Sequence, residues 1–195
     1  MSQTAERYAV YFVPGPDTGL WQTGCRWLGR NPDGTTGDAP LPPQAADAGI
    51  STEEWAEVTA EPRRYGFHAT LKPPFHLVEG CDLADLDGAL ARFAAGRGAF
   101  RTTALSVTRL AGFIALCPSG PTAGLAALAA DCLRAFEPFR RPSDAATLVR
   151  RRARGLTPRQ DALAAPLAVD GVALFREPAP GAPFETVRRY LFSAR

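Results

Sequence analysis

The chain has 195 residues, 46% of them hydrophobic, which is enough for a sizeable core and too apolar for global disorder. Its net charge of +2 is too small to demand nucleic acid or an acidic membrane as partner. Cys25, Cys81, Cys117 and Cys132 are scattered without a Cys-x-x-Cys pair, and there are only two histidines, which argues against a structural zinc site. The length suits one domain over 1–195, or two small lobes sharing a core. Residues 1–7 lack a basic start and an apolar stretch, and no run is long enough to span a bilayer. The expectation is a cytoplasmic protein with reduced thiols and no membrane partner.

Arg7 to Val13 is rich in aromatic and β-branched residues, ends at Pro14-Gly15-Pro16, and predicts a first, central strand. Leu20, Trp21, Gly24, Trp27 and Leu28 fall near helical spacing and predict a short helix. Gly, Pro, Asp and Thr crowd residues 29–43, a loop in which Asn31-Pro32-Asp33-Gly34 is turn chemistry. Ser51 reads as the cap of a short helix, with Glu54 three residues on, and that helix is expected to stop before Pro62. Leu83, Leu86, Leu90 and Phe93 predict a helix over 82–95 with Gly96 near its end.

Phe100 to Arg109 and Phe113 to Cys117 read as a hairpin turning at Ala111-Gly112, with Thr103, Leu105 and Val107 on one face. Pro121 to Phe136 is an Ala/Leu-rich helix. Leu156 to Gln160 looks like another helix start, with Thr157 as cap and Pro158 at the first position. Leu167 to Phe175 and Glu185 to Phe192 read as the last strands. Arg140-Arg141, Arg150-Arg151-Arg152 and Arg154 make a basic segment without interleaved aromatic residues. A solvated helix face is its better reading, and RNA as a partner is only weakly supported.

Tyr65-Gly66-Phe67-His68-Ala69-Thr70-Leu71-Lys72, closed by Pro73-Pro74-Phe75-His76, stands apart. Read as a strand, it points Tyr65, Phe67, Ala69 and Leu71 to a core and Gly66, His68, Thr70 and Lys72 the other way. Pro73-Pro74 is expected to end the strand. The second row sets an imidazole, a hydroxyl and an ammonium side by side, a set that can bind and work on a phosphate. Both histidines, His68 and His76, and the only lysine, Lys72, fall here. Arg63-Arg64 just upstream could add positive charge or mark a solvated strand entrance. By spacing alone, a structural histidine remains the commoner use of His-x-Thr.

The chain also repeats itself weakly. Strand, helix, strand recurs in the second half, and Ala104-Leu105-Ser106-Val107 resembles Pro166-Leu167-Ala168-Val169. A complete second copy would place its own histidine-bearing strand and helix between Leu156 and Leu167, near Leu163-Ala164. No histidine follows His76, and the space is too short for both elements, which take roughly 25 residues with loops.

Arg64-Tyr65-Gly66-Phe67-His68-Ala69-Thr70-Leu71-Lys72-Pro73-Pro74-Phe75 closely resembles the first His-x-Thr motif of the two-histidine phosphoesterase superfamily, nearest the phosphonate-metabolism proteins of bacterial phosphonate operons. The likeness extends to Phe136-Glu137-Pro138-Phe139, to Gly155 to Gln160, and to Val172 to Phe175 with the Pro-rich stretch up to Phe184. It implies a bilobal α+β fold, a pseudo-two-fold repeat of antiparallel sheets and helices, with lobes of about 1–110 and 111–195 and the second lobe incomplete. It implies a small phosphoester or nucleotide substrate, cyclic or linear, and no metal or other cofactor. Carried onto this sequence, His68 becomes a general acid or base and Thr70 a phosphate donor, while Tyr65 and Lys72 line the pocket. The second His-x-Thr is missing, so a catalytically impaired phosphate-ester binder or assembly protein is the alternative. The oligomeric state stays open.

Overall fold

A computed structural model of the chain describes residues 6–33, 42–110, 113–142 and 166–193. The chain is α+β, as expected. Strand β1 (Arg7–Phe12) lies inside a four-stranded antiparallel sheet, between β2 (Ala69–Phe75) and β6 (Gly171–Glu177), with β7 (Glu185–Leu191) beyond β6. A second, three-stranded sheet places β3 (Phe100–Leu110) between β4 (Phe113–Pro118) and β5 (Pro166–Val169). The helices are α1 (Gly19–Leu28), α2 (Pro43–Asp47), α3 (Thr52–Tyr65), α4 (Leu83–Ala95) and α5 (Ala123–Phe136).

Alternation along β1 builds two cores. Tyr8, Val10 and Phe12 face one side, packing with Leu86 and Leu90 of α4, Leu128 and Phe136 of α5, and Val172 and Leu174 of β6. Ala9, Tyr11 and Val13 face the other, against Trp21 of α1, Ala173 and Phe175 of β6, and Phe184. A strand buried on both faces reads as a continuous apolar run, which is how Tyr8 to Val13 reads.

Several expectations need correcting. Helix α3 does not stop before Pro62 but runs on through Tyr65. Proline removes one hydrogen bond, and the last turn is held by other groups. Arg63 Nε donates to the Leu28 carbonyl at 2.8 Å, its guanidinium lies 4.9 Å from the Trp55 ring, and the Gly66 N–H returns to the Pro62 and Arg63 carbonyls. The capping box at Ser51 and Glu54 forms as read. The supposed strand from Tyr65 therefore begins only at Ala69. Gly66, at φ 78 and ψ 177, makes the turn from helix to strand in a region only glycine enters freely.

Pro73 and Pro74 do not end β2. They sit inside it, on an edge strand, where the register slips between Tyr8↔Phe75 and Val10↔Lys72. An edge position at a bulge is where a strand tolerates missing N–H groups. The strand expected over 167–175 is two strands in two sheets, divided at Asp170. The two sheets draw on both halves of the chain: β3 pairs with β4 and β5, while β6 and β7 return to β1. On β3 the buried positions include Thr102, Ser106 and Thr108, and Val107 is exposed. Cys132 is buried and Cys117 is half-buried, and both are free thiols. Turn Ala111-Gly112, the arginines at 150–154, the helix start at Leu156 to Gln160 and the gap at Leu163-Ala164 lie outside the described residues.

Candidate functional site

His68 stands just before β2, in the turn that Gly66 opens. Its Nδ1 lies 2.9 Å from the Gly66 carbonyl oxygen and its Nε2 lies 3.1 Å from Thr70 Oγ1. A carbonyl can only accept, so Nδ1 carries the proton and Nε2 is left as the acceptor, with the Thr70 hydroxyl donating to it. The ring lies on that of Tyr11, with centroids 3.9 Å apart, and Tyr65 stands 6.1 Å away. Burial pushes the His68 pKa below its ordinary value, and the hydrogen bond to Gly66 opposes this only in part. The site therefore holds a neutral imidazole whose basic nitrogen faces an exposed threonine hydroxyl.

The support beneath His68 is tight. Phe67 packs against Gly24 of α1, where a Cβ would come within 2.3 Å of the Phe67 ring. Arg30 donates to the Arg64 carbonyl at 3.1 Å and to the Phe184 carbonyl, tying the end of α3 to the segment before β7. Tyr65 stacks on Phe184 at 5.2 Å. Arg64 and Arg7 both donate to Glu177, whose side chain is fully buried, and the Gly181 N–H donates to the same carboxylate at 3.0 Å. Burial alone would raise the Glu177 pKa, but Arg7, the Gly181 N–H and Arg64 outweigh it and hold the carboxyl ionised.

Of the four residues expected at the site, the structure brings together His68, Thr70 and Tyr65 but not Lys72. Tyr11 pairs with Thr70 while Val10 pairs with Lys72, so β2 gains one residue, Leu71, between them. Opposed residues of an antiparallel pair share a face. Thr70 thus lies on the Tyr11 side, and Lys72 on the Val10 side, where its Nζ meets Glu137 at 2.7 Å with 2% of the side chain exposed. Arg140 first, then Lys72, lower the Glu137 pKa to about 2. Arg63 is spent on Leu28 and Trp55, and Arg64 gives one terminal nitrogen to Glu177. His76 lies apart: its Nδ1 is 2.9 Å from the Glu6 carbonyl, and it lines a cavity of about 330 Å³ with Tyr8, Cys81 and Asp82. Tyr11, Arg7, Glu177 and Phe184 carry no sequence signal that marks them for this site. Tyr11 comes to it through the pairing of β1 with β2, and Arg7 and Glu177 meet through the pairing of β1 with β6.

Residues 70–165 match the model of a family described as a protein of unknown function, DUF1045. The chain is 32% identical, over 242 aligned positions, to a ribose 1,5-bisphosphate phosphokinase PhnN of Janthinobacterium sp. (strain Marseille), covering 100% of this chain and 52% of that protein. It is 38% identical, over 138 positions, to a ribose 1,5-bisphosphate phosphokinase PhnN of Laribacter hongkongensis (strain HLHK9), covering 70% of this chain and 32% of that protein. The chain spans about half the length of the first of these relatives and about a third of the second. The first alignment is longer than the 195 residues here, so that relative carries residues without a counterpart in this chain. A solved structure of E. coli LigT complexed with 3'-AMP aligns over 97% of this chain and 99% of that one, with a TM-score of 0.43 and 17% identity.

Proposed function

We propose that His68 and Thr70 form a phosphoester site of the two-histidine type, acting on a cyclic or linear phosphoester of a nucleotide or ribose in phosphonate metabolism. The observation that carries this reading is the neutral His68 ring with its Nε2 facing the Thr70 hydroxyl at 3.1 Å. When a phosphoester enters, the Thr70 O–H turns from Nε2 to a phosphate oxygen. Nε2 is then free to take the proton of an attacking water, whose oxygen bonds to phosphorus as the ester P–O bond breaks. The leaving oxygen needs a proton, and His68 can return the one it took. Tyr65 lines this pocket, and Lys72 serves the scaffold behind it. The phosphokinase activity in the relatives' names stays with those proteins. The only lysine here, between Leu71 and Pro73, is not part of a Gly-Lys-Ser/Thr phosphate loop.

A second reading has its own observation. The only other histidine, His76, is held by the Glu6 carbonyl at a separate place, so the described site has one acid/base where a pair divides the work. Losing one partner typically costs ~10²–10⁴-fold, which leaves a slow enzyme or a binder. Calorimetry and turnover with adenosine 2',3'-cyclic phosphate separate these outcomes. Hydrolysis that disappears in a folded His68→Ala chain supports the first reading, and binding without hydrolysis supports the second. Full activity in His68→Ala overturns the first, and no binding at all overturns both.

A further inference from the structure

We propose that Arg7 and Arg64, clamped by Glu177, form a second anion site that takes a terminal phosphate monoester of the ligand whose phosphoester reaches His68. The link to His68 rests on the function proposed above, whereas the anion site stands on its own geometry.

Glu177 is fully buried and accepts from Arg7 Nε, from one terminal nitrogen of Arg64 and from the Gly181 N–H. Two guanidiniums against one carboxylate leave one positive charge in excess. An arginine that serves only to neutralise a carboxylate commonly offers its fork of two N–H groups to it. Arg7 instead turns its Nε inward. Among the described residues its two terminal nitrogens have no protein partner, and 32% of its side chain is exposed. Arg64 spends one terminal nitrogen on Glu177 and sets Nε 3.5 Å from the Ala182 carbonyl, which leaves its other terminal nitrogen, and 26% of the side chain is exposed. The carboxylate below fixes both groups, so their outward donors are held in place before a ligand arrives, which lowers the cost of ordering them.

The placement ties this pair to the histidine. The Arg64 Cζ lies 5.4 Å from the Tyr65 ring centroid, and that ring lies 6.1 Å from the His68 ring. The Arg7 Cζ lies 5.9 Å from the Phe184 ring, which stacks on Tyr65 at 5.2 Å. Arg64 and His68 thus neighbour the same Tyr65 ring, which puts the guanidinium within about 12 Å of the imidazole. A phosphate monoester offers three acceptor oxygens in different directions, as two separate guanidiniums require, whereas a carboxylate offers two in one plane.

The test uses calorimetry on the full chain with ribose 5-phosphate, a probe with no phosphodiester, and with ribose as control. The wild-type chain should bind ribose 5-phosphate and not ribose. Arg7→Gln should weaken that binding by roughly 10- to 100-fold, the usual loss of a hydrogen bond to a charged group, while His68→Ala leaves it within about twofold. Arg64→Gln is the second variant should Arg7→Gln fail to fold. In the wild-type chain the Arg7 Nε–H resonance should shift on addition of the probe, a readout that needs no variant. Equal binding by folded Arg7→Gln and wild type overturns the proposal, as do absence of binding in the wild type and loss of binding in His68→Ala. Failure of the reaction proposed at His68 leaves these outcomes untouched. The link between the two sites is read from an adenosine 2',3'-cyclic phosphate with and without a 5'-phosphate. The added phosphate should tighten binding by at least tenfold in the wild type and not in Arg7→Gln, and no gain in the wild type overturns the link alone.

Discussion

Lys72 Nζ and Glu137 Oε2 meet at 2.7 Å on the face of β2 turned away from His68. The pair is lopsided: the lysine is 2% exposed and the glutamate 50%, and the glutamate also holds Arg140. The two single substitutions should therefore differ. Glu137→Ala strands a buried ammonium and should cost about 3 kcal/mol or more of stability. Lys72→Met fills the same space without charge, leaves Glu137 with Arg140 and water, and should stay within about 1 kcal/mol of wild type. Urea unfolding measures both. Lys72→Met should also keep phosphoester affinity within about threefold, and a tenfold loss would return Lys72 to the binding site.

Thr70 is exposed, and its hydroxyl is the nearest donor to His68 Nε2. Thr70→Val should leave the thermal midpoint nearly unchanged and weaken phosphoester binding by roughly 10- to 100-fold, the usual loss of a charge-assisted hydrogen bond. Thr70→Ser should restore most of it. Equal affinity of Thr70→Val and wild type in calorimetry would remove Thr70 from the site.

His68 has its folded pKa lowered by burial, so the unfolded chain takes up its proton first as pH falls. Its contribution to stability is complete above the unfolded value near 6.5 and is lost as pH falls from there through the folded value. An NMR titration should show the His68 ring with a midpoint below about 6.5, and any turnover should rise with pH across that midpoint. A midpoint at or above 6.5 contradicts the burial argument. His68→Gln should flatten this part of the stability curve.

Gly24 gives Phe67 its place. A Cβ there would lie 2.3 to 2.6 Å from three ring atoms, and the clash sits one residue before His68. Gly24→Ala should cost about 1–3 kcal/mol, as overpacking does, even though alanine favours a helix. It should also weaken phosphoester binding, because Phe67 can only move by carrying His68 with it. A variant more stable than wild type in thermal unfolding would show that the ring has room to retreat.

Much of this was legible in the sequence. The apolar runs of β1 and β6, the capping box at Ser51, and the β3–β4 hairpin all follow from local patterns. His68 and Thr70 were found together because two residues apart is a short step in any extended chain. Lys72 falls on the other face for a physical reason: one extra residue, Leu71, shifts it out of the alternation that runs through Thr70, and a bulge depends on the partner strand. Arg7 and Glu177 could not be joined from sequence, since 170 positions separate them and only sheet pairing makes them neighbours.

The route by which β6 reaches β1 bears on how a nascent chain folds. Arg7 pairs with Glu177 in register, so β1 leaves the ribosome long before the strand that covers this flank. At about 5–20 residues per second, Tyr8 to Phe12 spend roughly 10 to 30 seconds with that flank open before Gly171 to Glu177 emerge. The early partner is β2, whose Pro73 and Pro74 make its outer edge a poor template for strange strands. Synthesis thus passes through a stage in which one flank of β1 is guarded and the other is bare, and a chaperone that grips extended apolar segments would find its target there.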